Sequence, residues 1–328
     1  MAVHTRLKKM GRSPWLVELE RRLHHGDVIY NGVTVAASLL ILLVVVAIGG
    51  QLWQNSALPR AQFGLGFLTG LDWDPVSQVF GALPFLFGTL ETALLAVLIA
   101  VPIGLGIAIF LSELAPSSVS QPLGFLIELL AAVPSVIYGL WGLYVFIPTL
   151  IKPTADLLHG ALGFLPLFEG PVFGTSRLAA SLVLSIMILP TISAVSRDVF
   201  RAIPAAQREA SMALGSTRWE MISQVLVPYG MSGILGAVIL GLGRALGETI
   251  AVTMVIGNNL DLSASLLHPG YTMASIIANE FAEATYDLYV QSLIEIALVL
   301  FVITLLLNLI ARFLVWRVSR RTIGEVRV

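Results

Sequence analysis

Long apolar runs separated by short polar stretches set the pattern of this chain. A helix needs about 20 apolar residues to cross the hydrocarbon of a bilayer, and six runs reach that length. The first falls near Val33–Trp53, inside residues 28–59, which carry no charge. The second and third lie within Thr92–Leu111 and Leu129–Ile151, and the fourth within Leu178–Ser196. A fifth extends from near Gly230 to near Gly257, and a sixth runs from Ser292 to Ile310 with Glu295 near one end. The first run is much longer than the apolar core of a cleaved signal peptide, so it reads as a retained helix. The expected fold class is an all-α integral membrane protein with six transmembrane helices.

The polar segments set the orientation, because basic loops stay on the cytoplasmic side. Arg6, Lys8, Lys9, Arg12, Arg21 and Arg22 precede the first span, and Arg312, Arg317, Arg320, Arg321 and Arg327 belong to the C-terminal end. Arg197, Arg201, Arg208 and Arg218 lie between spans four and five, whereas the three loops on the other side carry Arg60, Lys152 and Arg177. Both termini are therefore expected in the cytoplasm. The longer outer connections, 54–83 and 152–177, hold Gly, Pro and aromatic residues and predict ordered hairpins or interfacial turns. They either present a surface to something outside or simply join helices.

Composition agrees with the pattern: 57% of residues are hydrophobic and 12% charged, and the mean hydropathy is +0.89. There is no cysteine, hence no disulfide framework or thiolate metal site. His4, His24, His25, His159 and His268 have no paired helical spacing, so no metal centre is expected. None of the three lysines follows a glycine, which excludes the phosphate cradle of P-loop ATPases. H-E-x-x-H and G-x-S-x-G are also absent, which argues against an intramembrane hydrolase.

Two segments carry chemistry. In "IPAAQREASMALGSTRWEMISQVLVPYG", residues 203–230, Pro204 opens a helix, Gln207–Leu214 favour it, and Gly215 turns the chain. Trp219, Ile222, Val225 and Leu226 then repeat at helical spacing, and Pro228 is expected to end the second helix. In "GLGRALGETIAVTMVIGN", residues 241–258, Arg244 and Glu248 interrupt an apolar run. A lone arginine at mid-helix costs on the order of 3 kcal/mol, and a partner four residues away on the same face offsets that cost. Gly233, Ala237 and Gly241, and then Gly243, Gly247 and Ala251, form two ladders suited to close helix packing. The two charges are either a structural ion pair or a contact for an anion, whose oxygens match the guanidinium fork. Thr249, Thr253 and Asn258 are candidate path-lining residues, although hydroxyls in membrane helices also bond their own backbone. Glu113 is expected to be solvated at the inner end of span two. Glu91 and Glu128 either line a path or lie at span ends.

"EASMALG" at 209–215, followed by "VLVP" at 225–228, resembles the EAA loop of permease subunits in ATP-binding-cassette importers, with Ser211 in place of the second alanine and Val227 in place of the leucine. An interfacial amphipathic helix is the alternative for the loop. "FGTLETALLAVLIAVPIGLGIAIFLSELAP", residues 87–116, looks like the opening of the type I importer transmembrane domain. "ELLAAVPSVIYGLWGLYVFIP", residues 128–148, and residues 243–258 are similar to the phosphate-specific permeases of the PstC type. The sister permease family shares Arg-Ala-x-Gly-Glu-Thr but not the "AVTMVIGN" that follows.

The resemblance implies a type I ABC importer permease fold with three parts: residues 1–84 (N-terminus, first span and outer loop), 85–312 (the transmembrane domain) and 313–328 (a cytoplasmic tail). It implies a non-catalytic subunit of an ATP-driven phosphate importer in a bacterial inner membrane. Glu209, Ala210, Ser211 and Gly215 would couple it to an ATPase, and Arg244 and Glu248 would serve translocation. The implied partners are a sister permease of the PstA type, two PstB-type ATPases holding ATP and Mg, and an extracytoplasmic PstS-type phosphate-binding protein. The chain itself would hold no cofactor or metal, would sit in the lipid bilayer, and would bind no nucleic acid. Two alternatives remain: a proton-coupled secondary anion carrier, and an ABC permease for molybdate or sulfate.

Overall fold

In the computed structural model, residues 14–325 are described, with side chains described for 30–317. Arg6, Lys8, Lys9, Arg12 and Arg327, which enter the orientation argument, lie outside the described residues. The chain divides into two compact units, residues 1–54 and 55–328. In the first, α1 (Pro14–Gln54) is one helix whose Tyr30–Gln54 part is long and apolar enough to span a bilayer. Its hydroxyls at Thr34 and Ser38 donate to carbonyls four residues earlier, so they add no unsatisfied polar group to an apolar surface.

The second unit opens with α2 (Ala57–Phe63), α3 (Gly66–Thr69) and a small antiparallel hairpin, β1 (Trp73–Asp74) with β2 (Val79–Phe80). Alternation along the strands buries Trp73 and Phe80 and exposes Asp74 and Val79. Asp74 closes the turn by accepting from the Val76 N–H at 2.9 Å and from the Ser77 hydroxyl. The helices that follow are α4 (Leu83–Ile109), α5 (Ser117–Ala132), α6 (Ser135–Trp141), α7 (Lys152–Leu162), α8 (Arg177–Ala202), α9 (Ala205–Ala213), α10 (Arg218–Glu220), α11 (Val227–Gly247), α12 (Ile250–Ile256), α13 (Met273–Glu280) and α14 (Asp287–Glu325). Wider π-helical turns at Phe110–Leu114, Gly142–Ile151 and Met221–Leu226 extend α4, join α6 to α7 and join α10 to α11.

Six helices among the described residues are long and apolar enough to cross a membrane. Helix α8 is the centre of the second unit: 61% of its most apolar window is buried, against 28% in each of the other four spans of that unit. Water does not drive helices together inside lipid, so small residues that allow close approach decide which faces meet. Ala93, Ala96 and Ala100 of α4 pack with Ala179, Ala180, Val183 and Met187 of α8 in one core. The first predicted ladder does the same for α11. A Cβ on Gly233 would lie 2.5 Å from Val199, one on Gly241 would lie 3.0 Å from Ile192, and Ala237 is fully buried.

Three boundaries differ from the sequence expectation. Span three begins at Ser135, because Pro134 separates it from α5. Pro228 does not end the helix that precedes it. It sits in the first turn of α11, and the π-helical register of Met221–Leu226 accommodates its missing N–H. Span five stops at Gly247, and residues 250–256 form the separate helix α12. The second ladder is consequently split. Gly243 and Gly247 face open space, while Ala251 packs beneath Gly139 of α6. Gly257, at φ +93°, ends α12 in a left-handed cap against Pro269.

Two further cores lie at opposite ends of α4. Phe67, Trp73, Phe80, Phe85, Tyr271 and Tyr289 form an aromatic cluster at the hairpin end. Ala108, Phe200, Ile203, Met221, Ile222 and Leu226 form the core at the α9 end.

Candidate functional site

Each of the membrane carboxylates Glu91, Glu113, Glu128 and Glu295 has an arginine partner. Glu91 of α4 lies 2.8 Å from Arg177 at the start of α8. Glu128 of α5 meets Arg197 of α8 at 2.7 Å. Glu295 of α14 meets Arg60 of α2 at 2.9 Å. Glu113 is not a solvated end group: its side chain is 6% exposed and takes two hydrogen bonds from Arg208 of α9, at 3.0 and 2.7 Å.

Arg177 is the most enclosed of these cations, at 1% exposure. Besides Glu91, it donates to the carbonyls of Ser263 and Ser265, at 2.5 and 2.6 Å, and lies over the ring of Phe87. The loop can close over it because position 270 is glycine, where a Cβ would lie 2.7 Å from the arginine stem. Gly124 likewise leaves room for Arg197.

Arg244 stands apart. It forms no ion pair and no hydrogen bond among the described residues, and the expected contact with Glu248 is not made. The physical reason is the break between α11 and α12. Glu248 is extended, at ψ 124°, and its carboxylate accepts from the N–H of Ala251, capping α12 at 3.2 Å. Arg244 occupies the last turn of α11. Each charge thus lies at the helix end whose dipole favours it, cation at a C-terminus and anion at an N-terminus. Arg244 projects from the helix that also carries the uncovered Gly243 and Gly247.

The three candidate path residues continue from this break. Thr249 donates to the Gly247 carbonyl at 3.2 Å, Thr253 to the Thr249 carbonyl at 2.7 Å, and Asn258 to the Thr253 carbonyl at 3.0 Å. Their hydroxyl or amide donors serve the local backbone. Asn258, at φ +50°, follows Gly257 in the left-handed region.

The coupling candidates lie at the other end of α11. Glu209, Ala210 and Ser211 sit on α9, which has no buried residue. Gly215, at φ +86°, makes the turn that follows, with open space around it. Ser211 and Ser216 bond across that turn at 2.6 Å, and Thr217 with Glu220 forms a capping box that starts α10. Met212, Leu214 and Trp219 are left exposed, Leu214 to 90%.

The family of binding-protein-dependent transport system inner membrane components matches residues 100–324. The chain belongs to this family. Among curated relatives, the phosphate transport system permease protein PstC of Mesorhizobium japonicum is 45% identical over 306 residues, 92% of this chain and 94% of the relative. The protein of the same name from Pasteurella multocida is 44% identical over 309 residues, 93% and 96% of the two chains. The probable PstC of Methanocaldococcus jannaschii is 36% identical over 309 residues, 92% and 98%. Among solved structures, a chain of a bacterial alginate ABC transporter in complex with a pentasaccharide-bound periplasmic protein aligns with a TM-score of 0.58. That alignment covers 90% of this chain and 97% of the other at 15% identity, and it establishes the shared fold. The chain is therefore a multi-pass inner membrane protein with the ABC importer permease fold.

Proposed function

We propose that the chain is the permease subunit of an ATP-driven phosphate importer, forming half of the anion pathway. The observation that carries this is the likeness to phosphate transport permeases over about nine-tenths of the chain. Arg244 supports it. The arginines facing Glu91, Glu113, Glu128 and Glu295 are engaged, whereas Arg244 keeps its guanidinium donors for a ligand. A tetrahedral oxyanion meets that fork with two parallel hydrogen bonds. Glu248, already capping α12, keeps net positive charge at the break low enough for release. Thr249, Thr253 and Asn258 line the route beyond it.

The subunit catalyses no reaction itself. ATP and Mg are held by two separate ATPase subunits, one of which docks on the exposed α9 and its turn at Glu209, Ala210, Ser211 and Gly215. A sister permease completes the pathway. An extracytoplasmic phosphate-binding protein delivers the anion at the hairpin end. Both termini lie in the cytoplasm. The same guanidinium suits molybdate or sulfate, so selectivity rests mainly with the binding protein.

The test is Arg244→Gln in reconstituted vesicles. A hydrogen bond to a charged group is worth about 1.5–3 kcal/mol, so uptake should fall at least about tenfold while the complex still assembles. Normal phosphate uptake by this variant would make the charge architectural. Copurification with an ATPase separates the importer from a proton-coupled carrier.

A further inference from the structure

Arg208 precedes the resembled loop motif and is not part of it, yet it makes the densest set of contacts in the loop. Nε and Nη2 donate to the two oxygens of Glu113 at 3.0 and 2.7 Å. Nη2 also donates to the carbonyl of Phe200, and Nη1 to that of Ile203, both at 2.7 Å. Glu113 belongs to the π-helical turn that ends α4. Phe200 lies in the last turn of α8, and Ile203 is its C-cap. Both carbonyls sit at the C-terminal end of α8, where acceptors outnumber donors; that of Phe200 also takes the N–H of Ile203 at 3.2 Å. One planar side chain therefore ties three elements together. Helix α9 buries no residue of its own, so apolar packing does not account for its attachment to the bundle.

Resting on the importer reading above, we infer that Arg208 is the positioning residue that passes displacement of α9 to the transmembrane helices. An ATPase docked on the exposed side of α9 pushes a helix that touches the turn Met221–Leu226 and is tied to the ends of α4 and α8 by this guanidinium. The push reaches the ends of α4 and α8 together, the two helices that share the alanine-lined core. From α8 it continues to α11, and so to Arg244, through Ile192 against Gly241. Lysine keeps the charge but lacks the planar fork that matches a carboxylate bidentately.

The test uses the reconstituted complex with its ATPase and binding protein, measuring phosphate taken up per ATP hydrolysed. Arg208→Gln should retain the ATPase and its hydrolysis while this ratio falls about tenfold. Arg208→Lys should lie between Gln and wild type, and Glu113→Gln should shift the ratio in the same direction. Spin labels at Gln207→Cys and Leu114→Cys, in a chain that has no cysteine of its own, should report one narrow distance in both nucleotide states. Arg208→Gln should broaden it. An unchanged uptake ratio in Arg208→Gln overturns the inference. If that variant loses its ATPase, Glu113→Gln decides: normal coupling there overturns the inference, and uncoupling sustains it. The coupling reading fails separately if Leu214→Asp and a bulky residue at Gly215 both leave ATPase binding and uptake intact.

Discussion

Exchanging the two charges, Arg244→Glu with Glu248→Arg, distinguishes an ion pair from two independently placed charges. An ion pair survives reversal. Here reversal puts an anion at the C-terminus of α11 and a cation at the N-terminus of α12, so both helix ends become unfavourable. The doubly substituted permease should transport no better than Arg244→Gln, measured as vesicle uptake. The presence of two charges in an apolar run is plain from the sequence. Their separation is not, because a spacing of four residues implies contact only along an unbroken helix. The Arg177–Glu91 pair was equally out of reach: its members are 86 residues apart, and their meeting depends on α4 lying against α8. Glu113 looked solvated because its partner, Arg208, counted as one more positive charge in a cytoplasmic loop.

Among the elements, α11 offers a contrast between its two glycine faces. Gly233→Ala and Gly241→Ala press a methyl group onto Val199 and Ile192 of α8, and should destabilise the protein by about 1–3 kcal/mol. Gly243→Ala meets nothing within 4 Å, and should be neutral or gain up to about 1 kcal/mol of helix propensity. Thermal unfolding of the three detergent-solubilised variants orders them. The number of spans was legible because a run of apolar residues is a strong signal in itself. The break at Glu248 was hidden because the apolar residues of 250–256 continue the run without a pause. Pro134 and Pro228 look alike in sequence. One separates α5 from α6, while the other is absorbed by the π-helical turn before it, a difference set by local register and packing.

Over the whole molecule, the asymmetry of basic residues predicts the topology. Reporters fused after Gly215 should be active only in their cytoplasmic form, and reporters fused within 75–78 only in their external form; the reverse result would invert the permease. Helix α8 gives the bundle its centre, with α11 keyed along it at Gly233, Ala237 and Gly241. A side-chain Cβ at position 233 would stand 3.2 Å from that of Val199, a few tenths of an ångström closer than the roughly 3.5–4.5 Å of a disulfide, a gap that a small parting of the two helices supplies. A covalent staple between Val199→Cys and Gly233→Cys should therefore form on oxidation and leave phosphate uptake working. Helices α8 and α11 then behave as a single plate with Arg244 fixed upon it. A push on the end of α8 would then carry the whole plate as one body, and it never has to bend.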